Sequence, residues 1–311
     1  MNKNKQAWLG YLALGTAASI WGGMYVVSKM VLDSLPPFTL LWLRYVIGFV
    51  FLWYFVAQRG EKQPLSKDWR LFLSIGFVGY FLSVGLQFIG TWLSSAHMGA
   101  ILTSASPVFI VLFAFRMLRE SITLRKLVSL LLAMIGVVIV VGWENNLTGN
   151  VKTFIGNLCL IGAAITWALL SVLAKKASLH YSPLVVTTYS IFWAITFTTP
   201  VMVVEWGFLP VQNLDEWSTW FAVLYVGIVS TAGAFYLWNK GLQLVEAGTG
   251  SMFFFFQPVV GALLGWLLLK EDLSPSFFIG GSLILFAVLF MSLPVRESLH
   301  ERSDAKPKKN V

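Results

Sequence analysis

ASPVFIVLFAFRMLRE (residues 105–120) and FQPVVGALLGWLLLKE (residues 256–271) share one design. Each sets a proline in an apolar run and closes, thirteen residues later, on a glutamate behind a basic residue. Pro107 and Pro258 are 151 residues apart, and so are Glu120 and Glu271. At that offset, ten of the 35 positions in residues 86–120 match without a gap, including Gly90, Gly99, Pro107 and Glu120. Leucine matches are cheap in apolar sequence, so the glycines, the proline and the glutamate carry the weight. An earlier part of the chain repeats at an offset of 146: Trp21 with Trp167, Lys29 with Lys175 and Pro37 with Pro183. The five-residue difference falls in the loop between the second and third apolar segments of each half, where insertions are tolerated.

The composition says where such a chain lives. Of 311 residues, 57% are hydrophobic and 12% charged, about half the charge of a soluble domain. Fourteen tryptophans and 25 phenylalanines could not be covered by so few charges in water. The apolar runs have the length of membrane-spanning helices. Ten are expected, at 8–31, 38–58, 71–92, 97–117, 124–142, 153–175, 184–205, 217–239, 248–269 and 276–294. The first run follows a basic tip but is longer than a signal-peptide core and lacks a small-x-small cleavage site, so it reads as a transmembrane helix. Cys159 is the only cysteine, so no internal disulfide is available.

The net charge of +8 is a topology signal rather than a nucleic-acid footprint. With the N-terminus in the cytoplasm, eighteen of the 22 Lys and Arg residues fall on inner segments and three on outer ones; Arg44 lies within a span. This is the positive-inside pattern with both termini cytoplasmic. The basic tail containing KPKK then lies beside anionic headgroups. The expected fold is an all-α polytopic membrane protein of ten transmembrane helices arranged as two five-helix repeats, residues 1–149 and 150–295, with a tail over 296–311. Five is odd, so the second repeat is inverted relative to the first, an architecture typical of secondary transporters.

The motifs SIWGGMYVVSK, LPPFTLLWLRY and SPVF…LRESITLRKLVSLLLAMIGVVIVV, with their second-half counterparts TWALLSVLAKKASLHYSPL and QPVVGALLGWLLLKEDLSPSFFIGGSLILF, resemble the EamA-type repeat of the drug/metabolite transporter superfamily. The resemblance covers nearly the whole chain. It implies a ten-helix carrier, often an exporter, of small metabolites such as amino acids, in a bacterial inner membrane. The motifs specify the fold more closely than the solute. The second half departs from the first at Ser190, where the first half has Arg44.

Polar stripes mark the faces turned away from lipid. Tyr80, Ser83 and Gln87 share one face of the third helix at i, i+3 and i+7. Trp21, Tyr25 and Ser28 share one face of the first. Trp167 and Ser171 are the repeat partners of Trp21 and Tyr25, and Thr231 and Trp238 those of Tyr80 and Gln87. Gln257 precedes the second proline. Membrane tryptophans usually sit at the interfaces, so the mid-helix pair Trp21 and Trp167 suggests a substrate site, with helix packing as the alternative. Pro107 and Pro258 remove an N–H and free the carbonyls of Thr103 and Phe254. In lipid those carbonyls must face protein, water or substrate, and the two prolines are either hinges or static kinks. Arg44 either snorkels to the headgroups, the favoured reading, or binds an anionic substrate or a carbonyl cluster.

All fourteen acids lie at helix ends or in loops, so no buried carboxylate offers itself for proton coupling. Glu120 and Glu271 read as helix caps or ion-pair partners. The three histidines form no metal or catalytic motif, and no phosphate-binding loop is present. The chain is therefore expected to be a cofactor-free transporter, not an enzyme. A membrane-embedded enzyme or a scaffold is the alternative. The transporter's expected partners are a small-molecule substrate and the lipid bilayer. Gly261 and Gly265, spaced as in GxxxG, allow close helix packing within a monomer or a weak homodimer.

Overall fold

The computed structural model describes residues 3–31, 35–94, 99, 102–141, 151–209, 216–269 and 275–293. Among them every regular element is helical. The helices are α1 (Lys3–Val31), α2 (Pro37–Arg59), α3 (66–93), α4 (Ser106–Leu118), α5 (Leu124–Val141), α6 (Val151–Ala177), α7 (Pro183–Trp206), α8 (Trp217–Leu244), α9 (247–269) and α10 (Pro275–Ser292). Among the described residues, seven helices are long and apolar enough to cross a membrane: α2, α3, α6, α7, α8, α9 and α10. The outer face fits that setting, since Leu131, Phe154, Val204, Phe221 and Leu289 are all exposed. In water such a belt would drive aggregation. The protein is a multi-pass membrane protein.

Helix starts follow from the local sequence. Pro37 and Pro183 occupy the first turn of α2 and α7, where the missing N–H has no intrahelical partner to lose. Ser182 caps α7 by accepting from the Val185 N–H at 3.3 Å. Pro36, at the same place before α2, has no side-chain acceptor. The carboxylate of Glu205, from the last turn of α7, takes its place. It accepts from the N–H groups of Phe38 (3.0 Å) and Thr39 (2.8 Å) and from the Thr39 hydroxyl (3.0 Å). At the far end of α2, Gly60 adopts the left-handed conformation at φ 57° and returns its N–H to Ala57.

Several contacts occur twice, with the halves exchanged. Gly10 of α1 meets Gly241 of α8, and Gly156 of α6 meets Gly90 of α3. A methyl group on Gly241 would stand 3.0 Å from the Gly10 carbonyl oxygen, and one on Gly90 would stand 2.9 Å from that of Gly156. These four glycines are repeat partners at offsets of 146 and 151. Small residues there let the backbones touch, which drives helix association where no hydrophobic effect operates. Gly136 of α5 and Gly280 of α10 face each other in the same way. Mid-helix π-helical segments also recur, at Ile75–Ser83 in α3 and Tyr225–Gly233 in α8. Single-turn π-bulges cluster at functional sites, and these segments are longer than that.

The helix contacts define two ends. At one end lie the start of α2, the end of α7 and the end of α3, where the Ser94 hydroxyl donates to Asn157. At the other lie Glu120, Lys126, the end of α6, the end of α8 and the start of α9. The second end carries the basic loops and is called the basic end below.

Glu120 organises the basic end. Arg119 is the only non-glycine residue with positive φ (57°) among the described residues. It ends α4 and lets the Glu120 N–H return to Ala114 at 3.2 Å. The Glu120 carboxylate then accepts from the first N–H groups of α9, Ala247 at 2.7 Å and Gly248 at 2.9 Å. A carboxylate there also complements the positive end of the helix dipole. It pairs with Lys175 of α6 at 3.2 Å, and Lys175 also donates to the Val245 carbonyl. Beside it Lys126 pairs with Glu246 at 2.7 Å. The capping role read for Glu120 is therefore present. Glu271, Lys29 and the 296–311 tail lie outside the residues described in side-chain detail.

Candidate functional site

Between the two ends, a cavity of about 50 Å³ draws its lining from seven helices. Trp21 and Met24 come from α1, Arg44 from α2, and Ser83, Val84 and Gln87 from α3. Thr103 and Ser106 come from the turn that opens α4, Ala163 and Trp167 from α6, Phe235 from α8, and Phe254 and Gln257 from α9. Four pairs of repeat partners meet there: Trp21 with Trp167, Val84 with Phe235, Thr103 with Phe254, and Ser106 with Gln257. A larger groove of about 350 Å³ runs among Phe49, Trp53, Trp69, Phe72, Tyr189 and Trp193. It is mostly aromatic and holds no pair of repeat partners. The central cavity, with converging polar groups on an aromatic floor, is the better candidate.

Aromatic rings form the floor of the cavity. Trp21 and Trp167 meet edge to face, with centroids 5.2 Å apart and planes at 85°. Phe235, Trp238 and Phe254 complete the cluster, at 5.5, 5.4 and 6.4 Å from Trp21. Edge-to-face rings of this kind stabilise one another by about 0.5–1.5 kcal/mol per pair beyond burial. Trp21 is fixed by its indole N–H, which donates to the Ser230 carbonyl at 3.0 Å. Trp238 donates to the Ser171 hydroxyl at 3.3 Å.

Arg44 corrects the snorkelling expectation. It is only 3% exposed, and its Nε donates to Thr231 Oγ1 at 2.8 Å. Its guanidinium carbon lies 5.8 Å from the Phe235 ring centroid and 5.9 Å from that of Tyr45. Thr231 and two aromatic faces hold the head group inward, so it does not turn back to the nearer membrane surface. Thr231 can do this because it sits in the π-helical stretch, its own hydroxyl bonding back to the Val226 carbonyl at 2.8 Å.

The other sequence-derived candidates divide. Trp21, Ser83, Gln87, Thr103, Trp167, Phe254 and Gln257 line the cavity. Tyr80 stands behind it, fully buried. Its hydroxyl accepts from Asn239 at 3.4 Å and its carbonyl from the Tyr45 hydroxyl at 2.6 Å. The α-helical spacing that joins Tyr80 to Ser83 and Gln87 fails because residues 75–83 are π-helical and drift out of register. Thr231 and Trp238 contact the lining residues Arg44 and Trp21, Ser171 holds Trp238, and none of the three lines the cavity itself. The side chains of Tyr25 and Ser28 lie outside the described residues. The sequence pattern does not single out Met24, Val84, Ser106, Ala163 or Phe235, which also line the cavity. Ser106 and Phe235 are within its reach, as repeat partners of Gln257 and Val84.

Neither proline sits in the middle of an uninterrupted α-helical stretch. Pro107 is the second residue of α4, just after a turn at Ser104–Ala105. Pro258 lies in the first turn of the α-helical part of α9, after a 3-10 turn at Met252–Phe255. The Thr103 carbonyl freed by Pro107 accepts from the Ser106 hydroxyl at 2.6 Å.

Comparison with known proteins agrees with this architecture. The EamA-like transporter family matches residues 8–142 and again 154–293. The chain is 31% identical to an uncharacterized transporter, YetK, of Bacillus subtilis (strain 168), over 87% of this chain and 82% of that one. It is 26% identical to a probable amino-acid metabolite efflux pump of Escherichia coli (strain K12), over 89% and 92% respectively. A solved crystal structure, 21% identical in sequence, superposes with a TM-score of 0.76 over 90% of this chain and 95% of that one. With both halves matched and a relative covered along most of its length, the chain belongs to the EamA-like transporter family.

Proposed function

We propose that the protein is a secondary transporter that moves small metabolites, such as amino acids or related solutes, by alternating access, and that it acts as an exporter. The carrying observation is that four pairs of repeat partners meet in one cavity. Contacts exchanged between the halves support two inverted five-helix repeats, residues 1–149 and 150–295. Two equivalent halves can trade conformations, which would open the same cavity to the opposite side. The likeness to a probable amino-acid metabolite efflux pump supports the solute class. Each chain carries its own cavity, so a monomer is sufficient. Counterflow in proteoliposomes tests the reading: preloaded unlabelled amino acid drives transient accumulation of labelled amino acid. Absence of counterflow for every solute tested defeats it.

The cell membrane, with both termini cytoplasmic, completes the reading. The basic loops gather at the end held by Glu120, which this orientation puts inside. Reporter fusions at Val311 and near Asn146 are expected to report cytoplasm and exterior respectively. A tail found outside reverses the orientation.

A further inference from the structure

Resting on the transporter reading, we infer that the cavity is a carboxylate site: Arg44 and the indole N–H of Trp167 hold the anionic group of the solute, and an ammonium group is dispensable. Three observations carry this. Among the described residues, Arg44 is the only charged one lining the cavity, and it is buried. Its Nε is engaged by Thr231, which sets the plane of a guanidinium able to recognise a planar carboxylate. None of the described residues brings a carboxylate to the lining. Glu120 and Glu205 are committed to helix starts at opposite ends.

The second observation is an unpaired donor. Trp167 is 9% exposed and lines the cavity, yet its Nε1 has no hydrogen-bond partner among the described residues. Its repeat partner Trp21 spends the same N–H on the Ser230 carbonyl. A buried N–H is nearly always paired, and a solute oxygen that reaches Trp167 Nε1 would give it an acceptor that none of the described residues provides.

The third is the floor. Trp21, Trp167, Phe235 and Phe254 offer ring faces and edges to an apolar body. Among the described residues the lining holds one cation, which suits a monoanion better than a multiply charged phosphate. With no acid from the described residues in the lining, a solute's ammonium group meets only neutral side-chain oxygens and ring faces.

The test uses three solutes with one body: 3-phenylpropionate, phenylalanine and 2-phenylethylamine. Calorimetric titration of the purified full chain is expected to show the first two binding within about tenfold of each other and the amine at least about tenfold more weakly. Trp167→Phe keeps the ring and removes the N–H. It is expected to keep the parental melting temperature and weaken carboxylate binding about three- to tenfold. Arg44→Gln is expected to weaken it about ten- to a hundredfold. If Arg44→Gln fails to fold, the Trp167→Phe result decides. An amine that binds as tightly as its carboxylate counterpart, no carboxylate binding, or a folded Trp167→Phe with unchanged affinities overturns the proposal. Counterflow separates it from the transporter reading. Carboxylate binding without counterflow defeats transport and leaves the site standing. Counterflow of the amine at the rate of the carboxylate does the reverse.

Discussion

Glu120→Ala is expected to unfasten the basic end of the bundle and to cost about 3 kcal/mol or more in stability, the range for removing one partner of a buried pair. The Glu120 and Lys175 side chains are 9% and 15% exposed, so solvent does little to screen the ammonium left behind. The start of α9 also loses its acceptor for two N–H groups, the loss of a capping residue. Lys175→Ala should cost less, because the carboxylate keeps the two N–H donors. The double variant should cost less than the sum of the single ones, since the pair is then absent as a whole. Chemical denaturation in detergent reads these differences.

Glu120 also joins the halves. It belongs to the first, while Ala247, Gly248 and Lys175 belong to the second. Its loss should therefore bias the protein towards opening at the basic end. A cysteine at Ser171, a buried position beneath the aromatic floor, placed in a Cys159→Ala background, should become reactive from that end in Glu120→Ala. Parental reactivity would mean that the aromatic cluster alone closes it.

Much of this design is legible in the chain because a duplicated sequence exposes its constraints. Pro107 with Pro258 and Glu120 with Glu271 point to two equivalent halves. Trp21 with Trp167 points to the cavity floor, since an aromatic pair near mid-helix has no interfacial reason to be there. The capping role of Glu120 is readable because an acid closing an apolar helix must find donors nearby. Other features hide for physical reasons. The π-helical stretches change the residues per turn without any mark in the hydropathy pattern, so α-helical spacing puts Tyr80 on the wrong face. Arg44's inward course depends on Thr231, 187 residues away in sequence, and nothing local distinguishes it from a snorkelling arginine. Glu205 caps α2 from 167 positions away, a service needed only because Pro36 cannot cap.

The two prolines bear on whether a break in a helix is a passive kink or a moving part. At Pro107 the break is stabilised by one hydroxyl: Ser106 donates to the Thr103 carbonyl at 2.6 Å, replacing the backbone N–H that proline lacks. Thr103 and Ser106 are both buried. Ser106→Ala should thus leave a buried acceptor without its donor and cost about 1–3 kcal/mol. Pro107→Ala alone should be close to neutral, because it offers an N–H to a carbonyl that is already served. When the two substitutions are combined, the new backbone N–H can donate where the Ser106 hydroxyl did, so the double variant should recover most of the loss. Additive effects would mean that the hydroxyl is not the substitute donor. Transport should move the other way. With a backbone bond available, residues 102–118 can form one continuous helix, and the cavity wall at Thr103 and Ser106 should stiffen. Counterflow should fall about tenfold if the straight form is favoured by about 1.4 kcal/mol. Gln257 stands in Ser106's place beside Pro258 and has a longer arm, so Gln257→Ala should show no such exchange with Pro258→Ala. A Ser106→Ala, Pro107→Ala variant that is stable yet transports at the parental rate would make the break a static kink, kept by duplication and not by use.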